Sequence, residues 1–235
     1  MNEAPEGVRL AKRVAALAGC SRREAELLID NGAVRVDGAV ALLPQTRVQQ
    51  HQHIAIEAGA KAVAVPQVTL LLHKPAGTKT EAAQRLLLAA NHHEPERAGL
   101  RFVPRHVAGQ RCMTPLETGA GGLLVYTQEW RIERKLHEDA GVLEHELMVD
   151  VAGLVSADVL ARFEASPARV SIGRQAEGRT GLRFAIKGAR PGQVAQLCDE
   201  AGLKILAMKR IRIGRVPLAG LAPGQWRYLA PHERF

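Results

Sequence analysis

The amino-acid sequence predicts an α+β fold, in which a small domain of helices and short strands precedes a larger domain with a mixed, mainly antiparallel sheet. Strand-like runs alternate with helical stretches, but without the regular βαβ pattern of a parallel sheet. A length of 235 residues suits one small and one medium-sized domain. We therefore expect domains at residues 1–60 and 67–235.

Residues 8–57 predict a helix pair followed by short strands. Residues 8–18 carry apolar side chains at helical spacing, and the glycine that follows is expected to end this helix. Ser21 and Glu24 fit a capping box, in which a hydroxyl and a carboxylate satisfy free N–H groups at the start of a second helix. Residues 34–36 alternate as a strand does, and the Asp-Gly pair after them predicts a tight turn.

The larger domain is predicted from a succession of apolar or alternating runs. Residues 58–66 contain Ala, Gly, Lys, Val and Pro, and we interpret them as a short linker. A helix is expected at 192–201, ending at Gly202. Strands are expected at 68–72, 123–126, 145–151, 182–186 and 205–213.

The charge distribution indicates an extended anionic partner. The formal net charge is +8. Five basic residues and no acid lie from Arg9 to Arg23, and seven basic residues against one acid lie from Leu203 to Phe235. Two separate basic clusters favour nucleic acid bound by two surfaces. Charge alone leaves open the alternative that these side chains are merely solvated.

Cysteine usage and hydropathy point to the cytoplasm. The three cysteines are widely spaced and form no C-x-x-C pair, which indicates reduced thiols and neither a disulfide framework nor a zinc site. The N-terminus lacks the basic start and apolar core of a signal peptide, and no apolar run approaches the roughly 18 residues of a membrane span. We expect a cytoplasmic protein with no membrane partner.

An ordered set of short motifs occupies the N-terminal region: Arg9–Arg13 (RLAKR), Gly19–Ala25 (GCSRREA), Asn31-Gly32 and Val34–Gly38 (VRVDG). This pattern resembles the alpha-L RNA-binding domain. Two adjacent arginines open the second helix, whose N-terminal dipole favours a phosphate, and this agrees with the resemblance. The residues it implies for RNA contact are Arg9, Lys12, Arg13, Ser21, Arg22 and Arg23.

Four further blocks follow in order: Leu71–Gly77 (LLHKPAG), Leu116–Thr127 (LETGAGGLLVYT), Glu144–Val149 (EHELMV), and a stretch from Lys187 to Arg227. Their order and spacing resemble the RsuA-type pseudouridine synthases, which act on rRNA. In that family an Asp carboxylate starts to break the bond between uracil and ribose, so that the base can turn and rejoin through carbon. The target uridine is flipped out and stacks on a Tyr. The resemblance implies no cofactor and no metal.

The departures from the family pattern fall on the residues of the site. Glu117 stands at the Asp position, Leu147 stands at the position of the stacking Tyr, and Pro115 stands where the family has an Arg. The arginines of the family's RQVRRM segment are absent from residues 192–197. Basic residues that the resemblance places at the RNA cleft are Lys74, Lys209, Arg210 and Arg212.

Two functions follow from these motifs. The first is an rRNA-directed pseudouridine synthase in which Glu117 replaces the usual Asp. The second is a catalytically impaired relative that binds rRNA without modifying it, for example during ribosome assembly. Both predict salt-sensitive binding of structured RNA. In either case we expect a monomer with no DNA partner.

Three other signals have competing interpretations. The histidines at positions 92, 93 and 106 fit no familiar metal-ligand set, so no metal site is expected there. Residues 81–100 are expected to be a surface insertion formed by a helix and a polar loop. Trp226 is expected in the core, although it could stack a base. Alternation over 205–213 predicts Arg210 and Arg212 on one face, either in contact with RNA or solvated.

Overall fold

The computed structural model describes residues 7–94, 98–176 and 178–235, and it divides into two compact units. The smaller unit comprises the chain up to Gln67 together with Arg101–Gly109. The larger unit comprises Val68–Leu100 and Gln110–Phe235. The predicted boundaries assign residues 101–109 to the larger domain, because nothing in the sequence marks a return to the smaller one.

Within its described residues, the smaller unit has two helices and five short strands, with a 3₁₀ turn at Pro104–His106. Strand β1 pairs with β4, and β2 lies between β3 and β5 in an antiparallel sheet. The predicted helices and the strand at 34–36 are confirmed, except that the first two residues of the first helix form a strand. The elements are α1 (Leu10–Ala18), α2 (Arg22–Asp30), β1 (Val8–Arg9), β2 (Val34–Val36), β3 (Ala39–Val40), β4 (Arg47–Val48) and β5 (Ile54–Ile56).

Local signals in the sequence determine where α1 ends and where α2 begins, both near residue 20. Gly19 ends α1 in the left-handed conformation, with a φ of 63°. Ser21 Oγ accepts from the Glu24 N–H at 3.2 Å, and Glu24 Oε2 accepts from the Ser21 N–H at 2.8 Å. The capping box is therefore confirmed. The helices pack through a core of Leu10, Ala11, Val14, Ala25, Leu28, Ile29, Val34 and Val48.

In the larger unit, the described residues form a nine-stranded sheet with short helices. Seven strands lie in the order β10-β11-β9-β12-β8-β6-β14, while β13 pairs with β12 and β7 pairs with β8. The strands are β6 (Thr69–Lys74), β7 (Arg111–Cys112), β8 (Gly121–Thr127), β9 (Glu144–Ala152), β10 (Ala168–Ala176), β11 (Arg179–Lys187), β12 (Ile205–Ile213), β13 (Val216–Pro217) and β14 (Trp226–Tyr228). The helices are α3 (Thr80–Ala83), α4 (Trp130–Glu138), α5 (Ala157–Ala161) and α6 (Gln193–Glu200).

Strand direction in this sheet agrees with the predicted class. Every pair is antiparallel except β12 with β8, which run parallel through the middle of the sheet. The mainly antiparallel sheet is therefore confirmed. Among the residues that the structure describes, no helix is long and apolar enough to cross a bilayer.

Trp226 is buried in the core, as the sequence predicts. Its indole Nε1 donates to the Leu88 carbonyl at 2.7 Å, and the ring of His92 lies against it with centroids 4.4 Å apart. An indole enclosed in this way is not available to stack an RNA base. Leu88 and His92, which lie in the predicted insertion, thus help to cover β14.

Gly122 determines how closely β8 approaches β12. Its φ is +115°, and a Cβ at this position would lie 2.3 Å from the main-chain oxygen of Arg210. Such a separation is far below any van der Waals contact, so only glycine permits this approach. The parallel pairing of the two strands depends on it.

Replacing Gly122 with Ala should destabilise the larger unit by about 3 kcal/mol or more, because the new Cβ overlaps main chain at a strained φ. Gly119→Ala is the matched control, since a Cβ there meets no described atom within 4 Å. Urea denaturation followed by circular dichroism measures both variants. Equal stability of the two would contradict the close approach of β8 and β12.

Candidate active site

The loop between β7 and β8 carries Glu117 into a small cavity of about 10 Å³. His145 and Leu147 lie two residues apart on β9, and both face this cavity. The structure therefore brings together the two positions that the sequence singles out for catalysis, Glu117 and Leu147. The lining is completed by Pro115, Leu116, Ala189, Arg190, Pro191, Val194 and Arg210.

Arg210 lies beneath the Glu117 loop and is 2% exposed. Its Nε and Nη2 donate to the Leu123 carbonyl at 2.8 and 2.6 Å, Nη1 donates to the Pro115 carbonyl at 3.3 Å, and Nη2 also donates to the Thr114 carbonyl. Burial lowers the pKa of Arg210 to about 10, while nearby Cys112 and Glu117 oppose the shift. The guanidinium stays charged at neutral pH, but it is too enclosed to meet a backbone phosphate.

Lys74 occupies the other side of the same loop and is fully buried at the end of β6. Its ammonium donates to the carbonyls of Thr78 at 2.6 Å and of Pro75 and Thr118 at 3.3 Å. Burial lowers the pKa of Lys74, the Glu117 carboxylate raises it, and Arg210 lowers it. Lys74 thus anchors the loop next to Glu117 and is not exposed for RNA contact.

These contacts give Glu117 two cationic neighbours. The carboxylate favours the charged form of both Lys74 and Arg210, which places it within electrostatic range of each. Pro115, which stands where the family has an Arg, offers its carbonyl to Arg210. Two buried cations, one from β6 and one from β12, thus lie in the surroundings of Glu117.

His145 is a site residue that the sequence analysis did not select. Its side chain is 7% exposed, and Nδ1 has no hydrogen-bond partner among the described residues. Burial, with a contribution from the charge of Arg210, lowers its pKa to about 3. The imidazole is therefore neutral at physiological pH. The available signal was the block Glu144–Val149, from which only position 147 was selected.

Arg190 is the second residue that was missed. It is exposed and lines the cavity from the segment before α6, two residues ahead of Gly192. Residues 192–197, which correspond to the family's RQVRRM segment, contain no arginine. A cation at the cavity edge is nevertheless present.

The predicted alternation along β12 is wrong at Arg212. A bulge between Arg210 and Arg212 shifts the register against β9, so the two arginines face opposite sides of the sheet. Arg212 Nε donates to Glu146 at 2.6 Å, and Nη2 donates to Glu144 at 2.7 Å. Arg212 is thus committed to carboxylates, whereas Lys209 on the same strand is exposed.

The six RNA-contact residues predicted in the smaller unit differ in availability. Arg13 is half-buried, and its guanidinium donates to the carbonyls of Gln49 and Gln52. These hydrogen bonds hold the loop between β4 and β5. Ser21 is exposed but engaged in the capping box. The exposed basic side chains are Arg9, Lys12, Arg22 and Arg23.

The histidines at positions 92, 93 and 106 occupy different parts of the structure. Within the described part of the chain, no group of three or more His, Cys, Asp or Glu residues is arranged to hold a metal ion. His92 packs on Trp226, and His106 is buried in the smaller unit.

Comparisons with known proteins bear on both units. A family model described as the S4 domain matches residues 8–54. The ribosomal large subunit pseudouridine synthase B of Pseudomonas aeruginosa is 28% identical over 99% of this chain, which spans 64% of that relative's length. The protein of the same name from Bacillus subtilis is 25% identical, over 96% of this chain and 93% of its own.

One solved structure matches over nearly the full length. A crystal structure of a pseudouridylate synthase has a TM-score of 0.54 at 20% identity, covering 95% of this chain and 96% of that one. The architecture is therefore an S4 domain followed by a pseudouridine synthase fold. The chain is similar over nearly its full length to proteins named as ribosomal large subunit pseudouridine synthases, and both resemblances seen in the sequence are confirmed.

The buried imidazole of His145 predicts a loss of stability in acid. Its pKa is about 3 when folded and near 6.5 when exposed, so below pH 6.5 the unfolded chain binds a proton that the folded chain does not. The contribution of His145 to the free energy of unfolding therefore falls by about 1.4 kcal/mol for each pH unit below 6.5. At pH 5 the loss is about 2 kcal/mol.

Urea unfolding at pH 7.5 and pH 5 tests this expectation. His145→Gln removes the titrating group, so its unfolding free energy should fall less between the two pH values than that of the native protein, by about 2 kcal/mol. His137→Gln, at an exposed position in α4, serves as control and should behave as native. An unchanged pH dependence in His145→Gln would argue against a buried neutral imidazole.

Proposed function

We propose that the protein is an rRNA-directed pseudouridine synthase in which Glu117 takes the role of the family's Asp. The observation that carries this proposal is the placement of Glu117 in the cavity that also receives Leu147, on a loop whose carbonyls at Pro115 and Thr118 accept hydrogen bonds from Arg210 and Lys74. The relatives named as pseudouridine synthases cover 96–99% of the chain and support the same activity.

The reaction isomerises uridine. The carboxylate of Glu117 starts cleavage of the bond between N1 of uracil and C1′ of ribose, and the freed base turns. C5 of uracil then bonds to C1′ and loses its proton to solvent, while N1 takes up a proton, so that the product is an isomer of uridine. Lys74 and Arg210 balance the negative charge and hold the carbonyls on both sides of Glu117. Because the loop is anchored at both ends, the longer Glu side chain acts from a fixed main chain. Positioning matters here, since a shift of about 1 Å can lower a rate about 100-fold.

Substrate entry requires the cavity to open. A volume of about 10 Å³ holds at most one water molecule, whereas the target base must be flipped out of its helix and inserted whole. The segment Ala189–Pro191 forms one wall and leads into α6. We propose that RNA binding displaces this segment and that Arg190 then faces the RNA backbone.

Leu147 changes how the base is held. An aromatic ring stacked on a base contributes about 1–3 kcal/mol, and a leucine offers only an apolar surface. The neutral imidazole of His145, two residues away on the same face, leaves one polar group for the base. We therefore expect the cavity to bind the uracil more weakly than a site with a tyrosine would. The affinity for RNA then comes from residues outside the cavity.

RNA binding is assigned to exposed basic side chains on the S4 domain and on β12. They contact phosphates and position the rRNA without reading its sequence. The partner is structured rRNA rather than DNA, and the protein acts as a monomer in the cytoplasm without cofactor or metal. The side chains proposed are Arg9, Lys12, Arg22, Arg23 and Lys209.

Pseudouridine formation tests the assignment of Glu117. Transcripts of large-subunit rRNA, labelled with tritium at C5 of uridine, release the label when C5 bonds to ribose. The native protein should release tritium, and Glu117→Ala should lower the rate at least about 1000-fold because the nucleophile is lost. Glu117→Asp should retain or increase the rate, since it restores the family's residue.

Glu164→Ala removes an exposed carboxylate outside the cavity and should match the native rate. Filter binding of the same transcripts shows whether each variant still holds RNA. Tritium release by Glu117→Ala at the native rate would refute the role of Glu117. RNA binding without release by the native protein would support the second function, a relative that binds rRNA and has lost the chemistry.

A further inference from the structure

His145 carries a buried polar atom that the fold leaves without a partner. The side chain is 7% exposed, and its Nδ1 accepts or donates no hydrogen bond among the described residues. Polar atoms buried to this extent normally have a partner, because an unsatisfied one costs folding free energy. The residue lines the cavity that also holds Glu117. An unused hydrogen-bonding group at this place indicates a ligand that completes it.

The other polar side chains of the cavity lining are committed elsewhere or lie at its edge. Arg210 donates to main-chain carbonyls of the Glu117 loop and of β8. Arg190 is exposed at the edge of the cavity. The carboxylate of Glu117 is assigned to the ribose. Of the described residues that line the cavity, His145 is therefore the buried polar side chain left to meet the base.

The position of His145 on β9 brings its ring next to an inserted base. His145 and Leu147 are two residues apart on one face of the strand, so their Cα atoms lie roughly 7 Å apart. A base that packs its ring on Leu147 has its edge beside this neighbour. The edge of uracil carries the carbonyl oxygens O2 and O4. An imidazole N–H is thus placed to donate to one of them once the cavity opens.

The proposed reaction creates a need for such a donor. When the bond between N1 and C1′ breaks, its electron pair stays with the base, and the negative charge spreads from N1 onto O2 and O4. A hydrogen bond to one of these oxygens strengthens as the charge develops, which stabilises the transition state. Burial, together with the charge of Arg210, lowers the pKa of His145 to about 3, so the ring is a neutral donor.

We infer that the imidazole of His145 donates a hydrogen bond to a carbonyl oxygen of the flipped uracil and stabilises the anion that forms as the base leaves the ribose. The imidazole keeps its proton throughout, so the step involves no transfer to or from His145. This inference rests on the proposed function, because it assigns a role within the isomerisation of uridine. It adds a catalytic residue on β9 to the carboxylate on the loop between β7 and β8.

Substitutions of His145 test the donor through tritium release from labelled large-subunit rRNA transcripts. His145→Phe keeps a ring and removes both nitrogens, so kcat should fall about 30-fold or more while KM changes less than about threefold. His145→Asn places an amide N–H near the position of Nδ1 and should lose less than about fivefold in kcat. His137→Phe removes an exposed imidazole from α4 and should match the native protein. Urea unfolding shows whether each variant is folded.

Thio-substituted uridine distinguishes a contact with the base from a structural role. The transcripts carry sparse 2-thiouridine or 4-thiouridine labelled with tritium at C5, and sulfur accepts hydrogen bonds only weakly. Sulfur at the contacted position should lower the native rate about fivefold and the rate of His145→Phe less than about twofold, because the variant has no donor to lose. Filter binding shows that the modified transcripts are still bound.

Native kcat in His145→Phe, or thio effects that are equal in the native protein and in this variant, would overturn the inference and leave the role of Glu117 standing. A raised KM at native kcat would also contradict it, since the contact would then be no stronger in the transition state than before. Absence of tritium release by the native protein from unmodified transcripts refutes the proposed function, and the role of His145 with it.

Discussion

The candidate site depends on one buried guanidinium. Arg210 donates hydrogen bonds to carbonyls from three residues of the loop and strand that carry Glu117, and it reaches them because Gly122 lets β8 and β12 approach. A buried charge that loses its partners costs several kcal/mol, so arginine, glycine and loop stabilise one another. Fixing the Glu117 main chain and supplying its counter-charge are accomplished by the same side chain.

Much of the fold could be predicted because its signals are local. The glycine and capping box at positions 19, 21 and 24 determine helix ends through contacts within four residues. The strand at 205–213 has the predicted bounds, since alternation of side chains is a property of a single strand. The positions of Glu117 and Leu147 came from the order of family motifs, and the fold places both at one cavity.

The remaining features depend on contacts between distant parts of the chain. The bulge that separates Arg210 from Arg212 arises from pairing with β9, so no pattern within β12 could reveal it. Basic residues alone do not distinguish a surface cation from Lys74, whose burial follows from its place between β8 and β14. The docking of residues 101–109 on Gly32 is likewise non-local, and the sequence offered no signal for it.

The two faces of β9 have a consequence for folding fidelity. His145 and Leu147 point to the cavity, whereas Glu144 and Glu146 are held on the opposite side by arginines at positions 169, 183 and 212. A slip of the strand by one residue would exchange these sets and bury two carboxylates beside Glu117. Mispaired forms of the sheet are thereby penalised by charge repulsion, which favours a single alignment during assembly of the chain.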